Sequence, residues 1–138
     1  MPQSVLDAFT AEYNVATRYV AYGVPQEAIE AMRQGESFDV IVLANAEVQI
    51  AAGEKLLAEL DHRNLSNFSH ISNKFRDLAF DPKNKYSIPF EWGTTGLLYR
   101  TDLVNPPPTK WADLWDPSFA GKIGLWPYEQ DAVGIALK

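Results

Sequence analysis

Two stretches of this 138-residue chain set aromatic rings beside carboxylates. Glu91-Trp92 precedes Gly93-Thr94-Thr95-Gly96, and Trp126-Pro127-Tyr128-Glu129-Gln130-Asp131 follows further on. A ring face with an acid next to it suits an alkylammonium group, which gains a cation–π contact and a charge-assisted hydrogen bond. The plainer alternative is a pair of partly buried wall tryptophans with solvated acids, and the residues alone leave both open. Gly93 to Gly96 lacks the Lys-Ser/Thr ending of a phosphate loop and opens no helical pattern, so a strand entry with close backbone approach fits it better. His62 and His70 are the only histidines, at a spacing that makes no i,i+4 metal pair. No G-x-S-x-G elbow is present for a serine nucleophile. The expectation is therefore no metal, no cofactor and no enzyme. The rival from that class is an α/β enzyme domain using Glu91 or Asp131 as base.

These residues need elements to hold them. Val5, Leu6, Phe9 and Tyr13 recur at helical spacing, with Ser4 placed to cap. Val15 to Tyr22 is rich in β-formers and ends at Gly23. Pro25 suits a first helical turn, Ala28, Ile29 and Met32 make one face of a helix over 25–34, and Gly35 stops it. Phe38 to Leu43 is a continuous apolar run, the pattern of a strand buried on both faces of a parallel sheet. A second amphipathic stretch predicts a helix over 46–60, interrupted at Gly53. Asn64 to Lys85 is polar and irregular. Tyr86 to Phe90, Thr95 to Tyr99 and Lys122 to Trp126 read as further strands, the first limited by Pro89. Thr109 is placed to cap a turn holding Trp111, Leu114 and Trp115, and a last helix begins at Glu129. Strands alternating with helices predict an α/β fold with a mostly parallel sheet.

Composition narrows the partners. Twelve Lys plus Arg against 18 Asp plus Glu give a formal charge of −6, so the basic stripe that nucleic acid requires is absent. With no cysteine, disulfides, cysteine zinc sites and thiol catalysis drop out. No apolar run reaches the ~18 residues of a membrane span, and Met-Pro-Gln-Ser begins no signal-peptide pattern.

Taken in order, several strings form a resemblance. Glu27 to Leu60, Leu65-Ser66-Asn67-Phe68 and Asp81-Pro82-Lys83-Asn84-Lys85-Tyr86-Ser87-Ile88-Pro89 are similar to spermidine/putrescine-binding proteins of ABC transporters. So are Trp92-Gly93-Thr94-Thr95-Gly96 with Tyr99, Trp111-Ala112-Asp113-Leu114-Trp115-Asp116-Pro117, and Gly121-Lys122-Ile123. The likeness is colinear from about Val5 to Lys138.

The resemblance implies a periplasmic or extracytoplasmic receptor whose two lobes close on a ligand, served by membrane subunits of the transporter. It implies a periplasmic-binding-protein-like lobe over 1–104, a linker and crossover over 105–120, and the start of a second lobe over 121–138. The first strand is expected before Met1 and most of the second lobe after Lys138. Where the family carries Pro-Ser-x-Tyr, this chain reads Leu43-Ala44-Asn45-Ala46. Where the family carries an Asp and, three residues on, a Glu, it holds Tyr128 and Asp131. By this correspondence Ala44, Asn45 and Ala46 line the cleft, Trp92 and Tyr128 are ring walls, and Asp131 with Glu129 supplies charge to a small cationic solute. Two other expectations stand beside it. The solute is of another kind, such as an amino-acid derivative, or the chain binds nothing and is stabilised as a homodimer, by face-to-face packing or by exchanging 121–138 across Pro106-Pro107-Pro108.

Overall fold

The computed structural model of the chain describes residues 1–125 and 129–137, without the side chains of 129–131. The chain divides into two compact units, Met1–Phe90 and Glu91–Lys138. The first opens with α1 (Gln3–Tyr13), whose N-cap is Pro2. Ser4 lies inside the helix rather than capping it. Gln3 instead ties the first turn by donating to the Asp7 carboxylate at 2.8 Å. Asn14 ends the helix in the left-handed region (φ 53°), which its short side chain tolerates. No α1 residue is buried, so the stripe of Val5, Phe9 and Tyr13 faces outward.

The packed centre of this unit is a helix pair. Helix α2 (Pro25–Arg33) has Pro25 in its first turn, and the Glu27 carboxylate reaches back to the Gly23 N–H at 2.8 Å. Helix α3 (Asn45–Gly53) lies against it. Ala28 and Ile29 of α2 and Val48 and Ala51 of α3 are the buried apolar residues among those described. Gln26 hydrogen-bonds Glu47 near the two starts, and Arg33 holds Glu54 at the two ends with contacts of 2.8 and 2.6 Å. Both ties join residues 21 apart, so the helices run side by side in the same direction. Residues 34–44 must therefore carry the chain back from the end of α2 to the start of α3.

Both helices stop with the same hydrogen bonds. Gly35 N–H meets Met32 C=O and Glu36 N–H meets Ala31 C=O; Lys55 N–H meets Ala52 C=O and Leu56 N–H meets Ala51 C=O. This termination needs a left-handed residue just past the helix. Glycine provides it after α2 (Gly35, φ 94°), and Lys55 is held there after α3 (φ 61°). The expected helix over 46–60 therefore ends at Gly53.

Five expected strands are absent among the described residues. Val15 to Tyr22, Phe38 to Leu43, Tyr86 to Phe90, Thr95 to Tyr99 and the described part of Lys122 to Trp126 enter no ladder. β-Propensity fits a segment for a sheet, but cross-strand pairs make the strand. None of these segments finds such a pair here, and Val40, from the middle of the apolar run, is 86% exposed. The irregular reading of 64–85 matches a succession of short 3₁₀ turns: His62–Asn64, Ser66–His70, Asn73–Phe75 and Pro82–Asn84.

The second unit contains 3₁₀ turns at Trp111–Trp115 and Pro117–Phe119 and helix α4 (Glu129–Ala136). Thr109 does not cap with its own side chain as an acceptor. Asp113 accepts from the Thr109 and Lys110 N–H groups at 2.7 and 3.2 Å, and these donors hold its carboxyl below the usual range.

Candidate functional site

The first group of expected cleft residues sits at the start of α3. Ala44 is its N-cap and offers no side-chain cap, while Asn45 and Ala46 are the first two helical residues, all three exposed. The next residue turns inward. Glu47 is 2% exposed and accepts one hydrogen bond, from Gln26 Nε2 to Oε1 at 3.0 Å. Its charge also reaches Tyr22, whose hydroxyl pKa is pushed up by burial first, then by Tyr19 and Glu47. Tyr22 and Gln26 thus share the surroundings of this carboxylate.

Trp92 belongs to the other unit and is 66% exposed. Glu129 and Asp131 fall in the first turn of α4, with side chains outside the described residues, and Tyr128 lies outside them altogether. The structure thus joins Ala44, Asn45 and Ala46 on one helix start and Glu129 and Asp131 on another.

A polar loop built around two buried side chains, Asp81 and Asn84, lies beyond this group in the first unit. Asp81 is 2% exposed. Its carboxylate accepts from the N–H groups of Lys85 (3.0 Å), Tyr86 (3.1 Å) and Ser87 (2.8 Å) and from the Ser87 hydroxyl (2.7 Å). Asn84, equally buried, accepts from Asp77 N–H and donates to Ser87 C=O, while His62 Nε2 meets the Asn84 carbonyl at 2.8 Å. Lys83 and Asn84 take positive φ (62° and 50°), which wraps the chain around the carboxylate. The Asp-Pro-x-Asn-x-Tyr-Ser string is therefore a structural knot: Asp and Ser close the cage and Asn bridges it. Leu60 N–H bonds the Lys85 carbonyl, fastening the segment after α3 to the knot. His62 also stands edge-on to Phe68 at 5.0 Å, a packing role.

Two open clefts flank the knot. One, of about 430 Å³, is bounded by Gln49, Phe80 and Tyr86; the other, of about 390 Å³, by Asn67, Phe68 and Ile88. Neither is lined by Ala44, Asn45 or Ala46. Sequence reasoning missed the Gln26–Glu47 contact. The available signal was the shared offset: Gln26 precedes Glu47 by the same 21 residues that separate Arg33 from Glu54.

Comparison with known proteins supplies the frame. Residues 4–136 match the family described as bacterial extracellular solute-binding protein. The spermidine/putrescine-binding periplasmic protein of Escherichia coli K12 is 29% identical over 141 residues, covering 100% of this chain and 40% of that protein. The spermidine/putrescine-binding periplasmic protein 1 of Haemophilus influenzae is 33% identical, covering 99% and 39%. Among solved structures, the spermidine/putrescine ABC transporter substrate-binding protein PotD of Streptococcus pneumoniae superposes with a TM-score of 0.75 at 28% identity, covering 86% of this chain and 37% of that one. The chain thus spans about two fifths of the length of the curated relatives it matches, and its fold is like that of periplasmic binding proteins. No helix among the described residues is long and apolar enough to cross a membrane.

Proposed function

This chain belongs to the bacterial extracellular solute-binding proteins, and on that premise we propose that it serves a polyamine-type ABC importer, binding a putrescine- or spermidine-like cation outside the cytoplasm. The observation that carries the reading is similarity to spermidine/putrescine-binding proteins along the whole chain. The role is binding and delivery to membrane subunits, not catalysis. In this reading residues 1–104 belong to the first lobe, 105–120 cross over, and 121–138 open the second. Ala44, Asn45 and Ala46 edge the cleft from the first lobe. Trp92 and Tyr128 supply ring faces, and Glu129 and Asp131 supply charge for the ammonium groups.

The same-direction pair α2 and α3 supports a parallel-sheet element in this reading. Two parallel helices joined by a returning segment are the halves of successive βαβ crossovers. Phe38 to Leu43 lies on that return and has the apolar run of a central strand, so we assign it to the sheet of the assembled lobe. A second reading is self-association of two copies through the end of the second unit, since Leu125, Val133 and Leu137 are exposed there and offer apolar surface for a partner.

Amide NMR of the chain titrated with putrescine, spermidine and ornithine tests the solute class. The two polyamines are expected to shift the signals of 44–46 and the Trp92 indole, with ornithine weaker. Stronger binding of ornithine, or shifts confined to other residues, would overturn the polyamine assignment.

A further inference from the structure

The buried acids of the first unit are treated very differently. Asp81 receives four donors, three backbone N–H groups and one hydroxyl, and its charge is fully solvated by the fold. Glu47 is equally buried yet receives one neutral amide hydrogen, from Gln26. Among the described residues no lysine or arginine lies within ion-pairing distance of it, although Arg33, Arg63, Lys85 and Arg100 all pair with exposed acids elsewhere. A carboxylate removed from water needs a cation or several donors, because the desolvation cost otherwise stands uncompensated. Its second oxygen has no donor among the described residues and keeps contact with solvent, where a cation reaches it. Gln26 is itself exposed, so its amide can leave the carboxylate without unpacking the helix pair.

We propose that Glu47 is the counter-charge for an ammonium group of the solute, with Gln26 standing in for that group when the site is empty. Glu47 directly follows Ala44-Asn45-Ala46, so an ammonium seated on it reaches the cleft edge already assigned. The proposal rests on the polyamine reading and adds a specificity-determining residue to it.

Two variants of the full 138-residue chain test it, with putrescine as probe and NMR titration as readout. Glu47→Gln keeps the acceptor oxygen for Gln26 and the side-chain shape, and removes only the charge. It is expected to melt near the wild-type temperature and to bind putrescine about tenfold more weakly. Gln26→Lys places an internal ammonium on Glu47; it is expected to raise the melting temperature and to weaken putrescine binding to a similar degree. Putrescine affinity within about twofold of wild type in both variants would overturn the role of Glu47 while leaving the polyamine reading intact. Absence of binding by the wild-type chain would overturn both.

Discussion

At the scale of single residues, Asp81 decides whether the polar half of the first unit holds its shape. Its carboxylate is the common acceptor for Lys85, Tyr86 and Ser87, and removing it leaves three part-buried N–H groups without their acceptor. Asp81→Ala is expected to cost about 2–4 kcal/mol, read as a lowered denaturant midpoint with the slope unchanged. A loss below about 0.5 kcal/mol would mean that water replaces the cage. Lys55 makes the opposite prediction. Its side chain points from a left-handed backbone (φ 61°) that glycine occupies after α2. Lys55→Gly is expected to stabilise by about 0.5–1 kcal/mol and to raise the melting temperature by a few degrees. That position also shows where sequence reading stops. Gly35 announces the end of α2 because glycine is the usual left-handed residue, whereas Lys55 carries no such signal, so the helical pattern ran on to residue 60.

At the scale of elements, the α2–α3 pair is the best-specified part of the fold, and it was legible in outline. Pro25 fixes the start of α2, and the spacing of Ala28 and Ile29 marks the face that is buried. The direction of α3 relative to α2 was not legible, because it depends on two side-chain ties between residues 21 apart. Ile29→Ala removes one of the few buried aliphatic side chains and is expected to cost about 2–4 kcal/mol by chemical denaturation. The tie at the far end is sensitive to acid. Two hydrogen bonds from the Arg33 guanidinium hold the Glu54 carboxyl below its ordinary value of 4.5. A carboxyl lowered by folding adds stability above its unfolded pKa, and that contribution fades as pH falls through the folded value. Between about pH 5 and 3, Glu54→Gln is expected to lose stability less steeply than wild type. Parallel acid curves would show that the exposed pair contributes nothing. The expected strands do not form among the described residues for the converse reason: apolar β-branched runs such as 38–43 state a preference, and the pairing that would realise it lies with other segments.

At the scale of the whole molecule, each of the two units leaves large apolar side chains in water. Val40 and Leu98, at 86% and 99% exposure, sit in water where a sheet or partner would cover them. Light scattering at micromolar concentration is expected to give twice the 15.5 kDa chain mass, and a stable monomer would remove self-association from the account. The site was legible only as short strings. Ala44 to Ala46 stood out by correspondence with a family pattern and Trp92 by the acid next to it in sequence, while the buried Glu47 that follows Ala46 was hidden in the register of two helices. Calorimetric titration of the chain with putrescine and, in the same buffer, with the neutral isostere 1,4-butanediol tests the central claim most directly. Because the chain spans two fifths of its relatives, the account predicts diamine binding near 1 mM or weaker, about −4 kcal/mol, diminished by added salt, and no binding of the diol. Equal binding of both compounds, or no heat from the diamine at tens of millimolar, would contradict it.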